Sequence, residues 1–226
     1  MLSLPQLRRC WELFETNKVR TFFQGRVNKY KSIYSKDKTP IWKILDFLFR
    51  RSVQRRFELT LEECSDIKDK KILDVGCGPG IYAVTLATLE PAKVVGIDFS
   101  EEMLAKAQAL AMENRVKDVC QFINSEFLRY QFEEKFDICL AIGLFDYIRE
   151  PQPSLKKIRA LCLEKAIISF PGKWKLRNVV RKIRLAILRC PVYFYTRKQL
   201  EKLLKESGFN NFEIKNVDRD YLVVAR

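Results

Sequence analysis

The chain has 226 residues, of which 42 are Lys or Arg, 28 are Asp or Glu and none is His, for a formal charge of +14. Without histidine, neither an imidazole base nor a His-ligated metal is open to it, and no metal site is expected. Its 47% hydrophobic content allows a full core, yet no apolar run approaches the roughly 20 residues needed to span a bilayer.

The seven cysteines fall singly, with no CxxC pair, so neither a disulfide framework nor a zinc site is indicated. Met1 to Trp11 lacks a signal-peptide core and cleavage site, which predicts a reduced, cytoplasmic protein. The charge is unevenly spread. Residues 1–71 carry 17 Lys/Arg against 9 Asp/Glu, residues 72–170 carry 11 against 14, and residues 171–205 carry 11 against 1. An acidic centre between two basic flanks points to an anionic partner: a small acid, a phosphorylated or carboxylated lipid-like molecule, a membrane surface or RNA.

Residues 1–66 read as an N-terminal helical cap. After Pro40, Ile41, Ile44, Leu45, Leu48, Phe49 and Val53 recur at helical spacing, with Arg50, Arg51, Arg55 and Arg56 opposite them. The expectation is a helix docked over a sheet edge with a solvated basic face; the alternative is a lid over the ligands.

From residue 67 the pattern changes. Ile72, Leu73 and Val75 form a run suited to a strand buried on both faces, broken at Gly76, Gly78 and Gly80 before a helix from Ile81 to Leu89. Such a turn leaves backbone N–H groups bare and lets a ligand lie against the main chain. A second buried run, Val94 to Ile97, ends in Asp98, 18 positions after Gly80. An acid at the tip of the second strand of a βαβ unit faces the ligand of the first turn and can accept from both ribose hydroxyls. Ser100, followed by Glu101 and Glu102, supplies the N-cap of the next helix, which releases Asp98 from that duty. Loop, spacing and acid together indicate a nucleoside pocket.

Further strands are expected at Cys120–Asn124, Phe136–Ile142 and Ala166–Phe170, with helices at Glu101–Asn114 and near Ser154–Cys162. This alternation implies a parallel sheet covered on both faces, with ligands beyond the carboxyl ends of its strands. Asp137, at a strand start, reads as structural. Asp146 and Tyr147 follow the fourth strand, where Asp146 either orients an acceptor or takes its proton, or else the pair fixes the loop to the cap. Lys173 to Arg189 reads as a basic amphipathic insertion over 173–190. Its Arg177 and Arg181 either grip an anionic acceptor, lie solvated, or rest on an anionic membrane. Tyr193 and Tyr195 precede a helix capped by Thr196 and stopped at Gly208, and a C-terminal antiparallel hairpin completes the chain. The two tyrosines are candidates for the acceptor wall, with core packing as the alternative.

The run Asp74-Val-Gly76-Cys77-Gly78-Pro-Gly80 departs from the dinucleotide pattern GxGxxG. It resembles the first motif, D/E-x-G-x-G-x-G, of the class I S-adenosylmethionine-dependent methyltransferases. The ending from Tyr193 to Arg226 is similar to that of small-molecule members, so the resemblance covers Lys71 to Arg226. It implies an α/β fold, a Rossmann-like doubly wound seven-stranded sheet, with S-adenosylmethionine as cofactor. It also implies that Asp74 and the backbone of Gly76, Cys77, Gly78 and Gly80 hold the amino-acid end, while Asp98 holds the ribose. Phe99 and Met103 would flank the adenine, with Glu126 and Phe127 where the family usually places an adenine-binding Asp, and Ile142 at the fourth strand's tip. The expected function is methyl transfer to a small, anionic acceptor. RNA methylation and a non-catalytic binding subunit are the alternatives.

Overall fold

The computed structural model describes residues 53–173, 192–218 and 220–226. The expected helices before residue 53 lie outside the described residues, as does the insertion helix with Arg177 and Arg181. Within them, α1 covers residues 53–63 and leads to β1 (Lys71–Val75), α2 (Ile81–Ala87), β2 (Lys93–Asp98) and α3 (Glu101–Glu113). Then come β3 (Cys120–Asn124), β4 (Phe136–Ala141), α4 (Gln152–Leu161), β5 (Cys162–Pro171), α5 (Arg197–Glu206), β6 (Phe212–Val217) and β7 (Asp220–Ala225).

The sheet runs β3-β2-β1-β4-β5-β7-β6. Its first five strands are parallel, and β7 inserts antiparallel between β5 and β6. This is the Rossmann-like doubly wound sheet with the expected C-terminal hairpin. The chain steps outward from β1 to β3, then returns to the other side of β1 as β4. The gap between the β1 and β4 loops is therefore the switch point at which such sheets bind ligands.

Both faces are covered, which explains why the central strands are apolar without alternation. On one face Leu73, Val75, Cys139 and Ile168 pack with Leu155 and Ile158 of α4 and Leu200 and Leu204 of α5. On the other, Ile72, Val94, Leu140 and Ile167 pack with Ala83 and Leu86 of α2 and with Cys64 just after α1. The twofold period of a strand puts Asp74 on the same face as Ile72, beneath the first turn of α2.

Local signals place the helix ends. The Ser100 side chain accepts from the Met103 N–H, while Thr196 and Gln199 form a reciprocal capping box on α5. Gly208 stops α5 at φ +88°. Asp137 accepts from the Lys71 N–H at 2.7 Å, a structural tie between neighbouring strand starts. β5 is longer than expected, beginning at Cys162, and its register with β4 shifts between Phe136 and Ile138.

Gly80 joins the site to the core. It sits at φ +77°, and a Cβ there would lie 2.7 Å from the Ala107 Cβ of α3. Gly80→Ala should therefore lower unfolding free energy by about 2 kcal/mol in a denaturant titration. A loss of only a few tenths would contradict this packing.

Candidate functional site

β1 ends in a turn bound to its neighbour strand. The Gly76 and Cys77 N–H groups donate to the Ile97 carbonyl at 2.8 and 3.2 Å, and the Asp98 carboxylate accepts from Gly78 N–H and Ser100 N–H, each at 2.9 Å. The glycine loop and the tip of β2 thus form one rigid crevice. Gly78, at φ +53°, faces into it: a Cβ there would meet nothing within 4 Å. Cys77 differs from its neighbours in direction. Its side chain is buried, and a Cβ on Gly96 would lie 2.9 Å from its sulfur, so only its backbone faces the loop.

Asp74 lies under this loop and is only 2% exposed, with its Oδ2 buried and lacking a hydrogen-bond partner among the described residues. Burial, then the nearby Asp98 charge, pushes its carboxyl up to about 7, against a backbone N–H donated by Ala83. Burial also raises Asp98, offset by the N–H donors from Ser100, Gly78 and Phe99. Neither acid has a paired cation among the described residues; Asp74 lies buried beneath the loop, and the free space is on the Gly78 side. Carboxylates so placed are acceptors suited to a molecule carrying hydroxyls and a positive charge.

The remaining predicted cofactor residues surround this centre unequally. Phe99 is half-buried just beyond Asp98, whereas the Met103 side chain is buried within α3. Glu126 follows β3 and forms an ion pair with Arg129 at 2.8 Å. Phe127 packs against the core, its ring 6.1 Å from Phe132, and Lys157 fastens its turn by donating to the Phe127 and Tyr130 carbonyls. Ile142 is half-buried at the exit of β4, beside Gly143, whose N–H donates to the Ser169 hydroxyl at 2.7 Å.

The β4 loop forms the other wall. Phe145 is buried and stacked on Phe170 at 4.9 Å, which anchors the loop from below. Asp146 is 4% exposed, and its carbonyl accepts from the Tyr193 N–H at 2.9 Å. Tyr147 is half-buried in the turn, its N–H on the Leu144 carbonyl. Tyr195 packs edge-on to Phe170 and donates its hydroxyl to the Ile148 carbonyl at 3.4 Å. Burial, followed by the charges of Asp146 and Tyr193, pushes the Tyr195 hydroxyl well above its usual range, so it keeps its proton. Asp146, Tyr193 and Tyr195 are therefore brought together, across the switch point from Gly78.

One residue here corrects the expectation of a solvated basic face on the last cap helix. Arg55 does point outward, paired with Glu58 and Glu62. Arg56 instead turns in: its side chain is 14% exposed and bonds the Asp220 carboxylate at 3.4 Å. A Cβ on Gly143 would lie 4.0 Å from Arg56 Nη2. Burial works against its charge, but Tyr82 of α2, Asp220 and Asp146 outweigh it and hold it protonated. The guanidinium thus reaches the gap between the glycine-loop helix and the β4 loop. The helical stripe recorded only that Arg56 lay off the apolar face; its burial depends on acids distant in sequence.

The family model described as a methyltransferase domain matches residues 66–215. The chain belongs to this methyltransferase family. Its fold is that of the class I enzymes, whose methyl donor is S-adenosylmethionine. A curated relative, the ubiquinone biosynthesis O-methyltransferase of Pseudomonas putida (strain GB-1), is 33% identical over 96 residues, 42% of this chain and 41% of the relative. Its counterpart in Histophilus somni (strain 2336) is 31% identical over 119 residues, 51% of this chain and 50% of the relative. The chain therefore matches half or less of the length of these relatives. Magnesium protoporphyrin IX methyltransferase from Synechocystis PCC 6803, solved with bound S-adenosylhomocysteine, superposes with a TM-score of 0.73 at 19% identity, covering 93% of this chain and 98% of that one. An open concavity of about 680 Å³ elsewhere, lined by Lys135, Lys156, Arg159 and Cys162, lies at the amino ends of β4 and β5 and has none of these features.

The raised Asp74 carboxyl gives a pH signature. A ligand ammonium set against Asp74 would need it ionised, whereas the free protein holds its proton below about 7. S-adenosylhomocysteine affinity should therefore rise with pH up to about 7 and level off above it, as calorimetry would show. An acid whose folded value is raised stabilises the fold at low pH and loses that contribution as pH climbs toward the folded value. Asp74→Asn should accordingly raise the melting temperature of the ligand-free protein at pH 8 while weakening the ligand.

Proposed function

We propose that this chain transfers a methyl group from S-adenosylmethionine to a small, anionic acceptor. The observation that carries the donor half is the pairing of a buried, partnerless Asp74 oxygen with an open crevice above Gly78, closed at its far side by Asp98. In this reading Asp98 accepts from the ribose hydroxyls, using lone pairs beyond those on Gly78 and Ser100. Asp74 pairs with the ammonium, and Gly78 lets the donor lie against the main chain. Arg56, next to Gly143, meets the donor carboxylate.

When bound, the donor supplies a sulfonium methyl open to in-line attack. The chain's own residues contribute mainly position. Asp146 orients the acceptor's nucleophile or receives its proton, and the Tyr193–Tyr195 segment walls the acceptor side. An anionic acceptor is supported by the basic flanks: 17 Lys/Arg against 9 Asp/Glu in residues 1–71, and 11 against 1 in residues 171–205. The relatives' names, ubiquinone biosynthesis and magnesium protoporphyrin IX, favour a metabolite over a nucleic acid.

The test is incubation with methyl-labelled S-adenosylmethionine and a metabolite extract, followed by mass identification of the product. A labelled acidic small molecule should appear, and Asp98→Ala should suppress it while weakening S-adenosylhomocysteine by about tenfold or more. Label appearing only in RNA would move the acceptor to the polymer class. No S-adenosylhomocysteine binding at all would sink the reading.

A further inference from the structure

The two ends of the described chain meet beside the β4 loop, where Arg56 contacts Asp220. Asp220 is the first residue of β7 and lies opposite Pro171, at the carboxyl end of β5. The β6–β7 turn therefore arrives at the same end of the sheet as the glycine loop. Asp220 is 4% exposed there, and its Oδ2 accepts from Arg56 Nη1, from a helix 164 positions earlier in sequence. Hairpin packing alone does not call for a carboxylate at this place.

From this geometry we infer that Asp220 is a positioning residue for donor binding, acting through Arg56. The inference rests on the donor-binding reading above. A free arginine has many rotamers, and immobilising one on binding costs affinity. Asp220 fixes the Nη1 corner of the fork before any ligand arrives. Arg56 Nε is buried and has no hydrogen-bond partner among the described residues, and Nη2 lies beside Gly143. Tyr82 of α2 and Asp146 also bear on its charge, so the guanidinium is held between α2, the β4 loop and Asp220, with Nη2 beside Gly143. A carboxylate meeting it would find a planar, pre-oriented partner.

Electrostatics alone predicts the opposite sign. If Asp220 merely neutralised Arg56, removing its charge would strengthen the attraction for an anion. Positioning predicts weaker binding instead.

The experiment compares two ligands by calorimetry: S-adenosylhomocysteine, and its decarboxylated analogue, which keeps the adenosine and the ammonium and lacks only the carboxylate. Wild type should prefer the first. Asp220→Asn should weaken S-adenosylhomocysteine by about tenfold while leaving the analogue within about twofold. Asp220→Glu should restore most of the preference, and Arg56→Met should abolish it. Unchanged or tighter S-adenosylhomocysteine binding in Asp220→Asn would overturn the inference, as would equal losses for both ligands, which would mark a purely structural role. Failure of the wild type to bind either ligand would overturn the donor-binding reading itself, and this inference with it.

Discussion

Two carboxylates share one crevice, and among the described residues neither has an ion-pair partner there. Asp74 is buried with an oxygen left bare, and the neighbouring Asp98 charge raises it further. A fold seeking only stability would replace such a pair with apolar side chains or supply a cation. The arrangement makes sense when the missing positive charge arrives with a ligand. S-adenosylmethionine carries a sulfonium and an ammonium, together with the ribose hydroxyls that an acid at the end of β2 can hold.

Everything else at this end of the sheet serves to keep that negative crevice open and shaped. The glycine loop cannot collapse into it, because Gly76 and Cys77 are bonded to Ile97 and Gly78 to Asp98. Gly80 lets α3 approach the loop from behind, with Ala107 in the space a side chain would take. Phe145 and Phe170 fix the β4 loop from below, so that Asp146 stands across the gap from Gly78. Arg56 and Asp220 then tie α1 to the hairpin across the top. Among the described residues no helix is long and apolar enough to cross a membrane.

The core of this arrangement was legible in the sequence because its signals are local. The strand, the three glycines, the acid before them and the acid that ends the second strand all lie between Lys71 and Asp98. The caps at Ser100 and Thr196 were legible for the same reason: each depends on a partner three residues away. Arg56 was not. Along a helix it looks like Arg55, and only tertiary packing sends one to solvent and the other against Asp220. Asp220 carries no local mark either, since a turn acid before a strand is common. The direction of Cys77 was also hidden, because its sulfur fills the space beside Gly96, a glycine on the neighbouring strand. Contacts across long sequence separations decide these three residues, and no periodicity reports them.

The most direct measurement is a crystal structure of the protein with S-adenosylhomocysteine. The ribose hydroxyls should lie within hydrogen-bonding distance of the Asp98 carboxylate, with the main chain at Gly78 against the ligand and the ligand's ammonium on the side of Asp74. A ligand bound away from the β1 and β2 tips, or a crevice that closes on the protein's own side chains and admits no nucleoside, would contradict it.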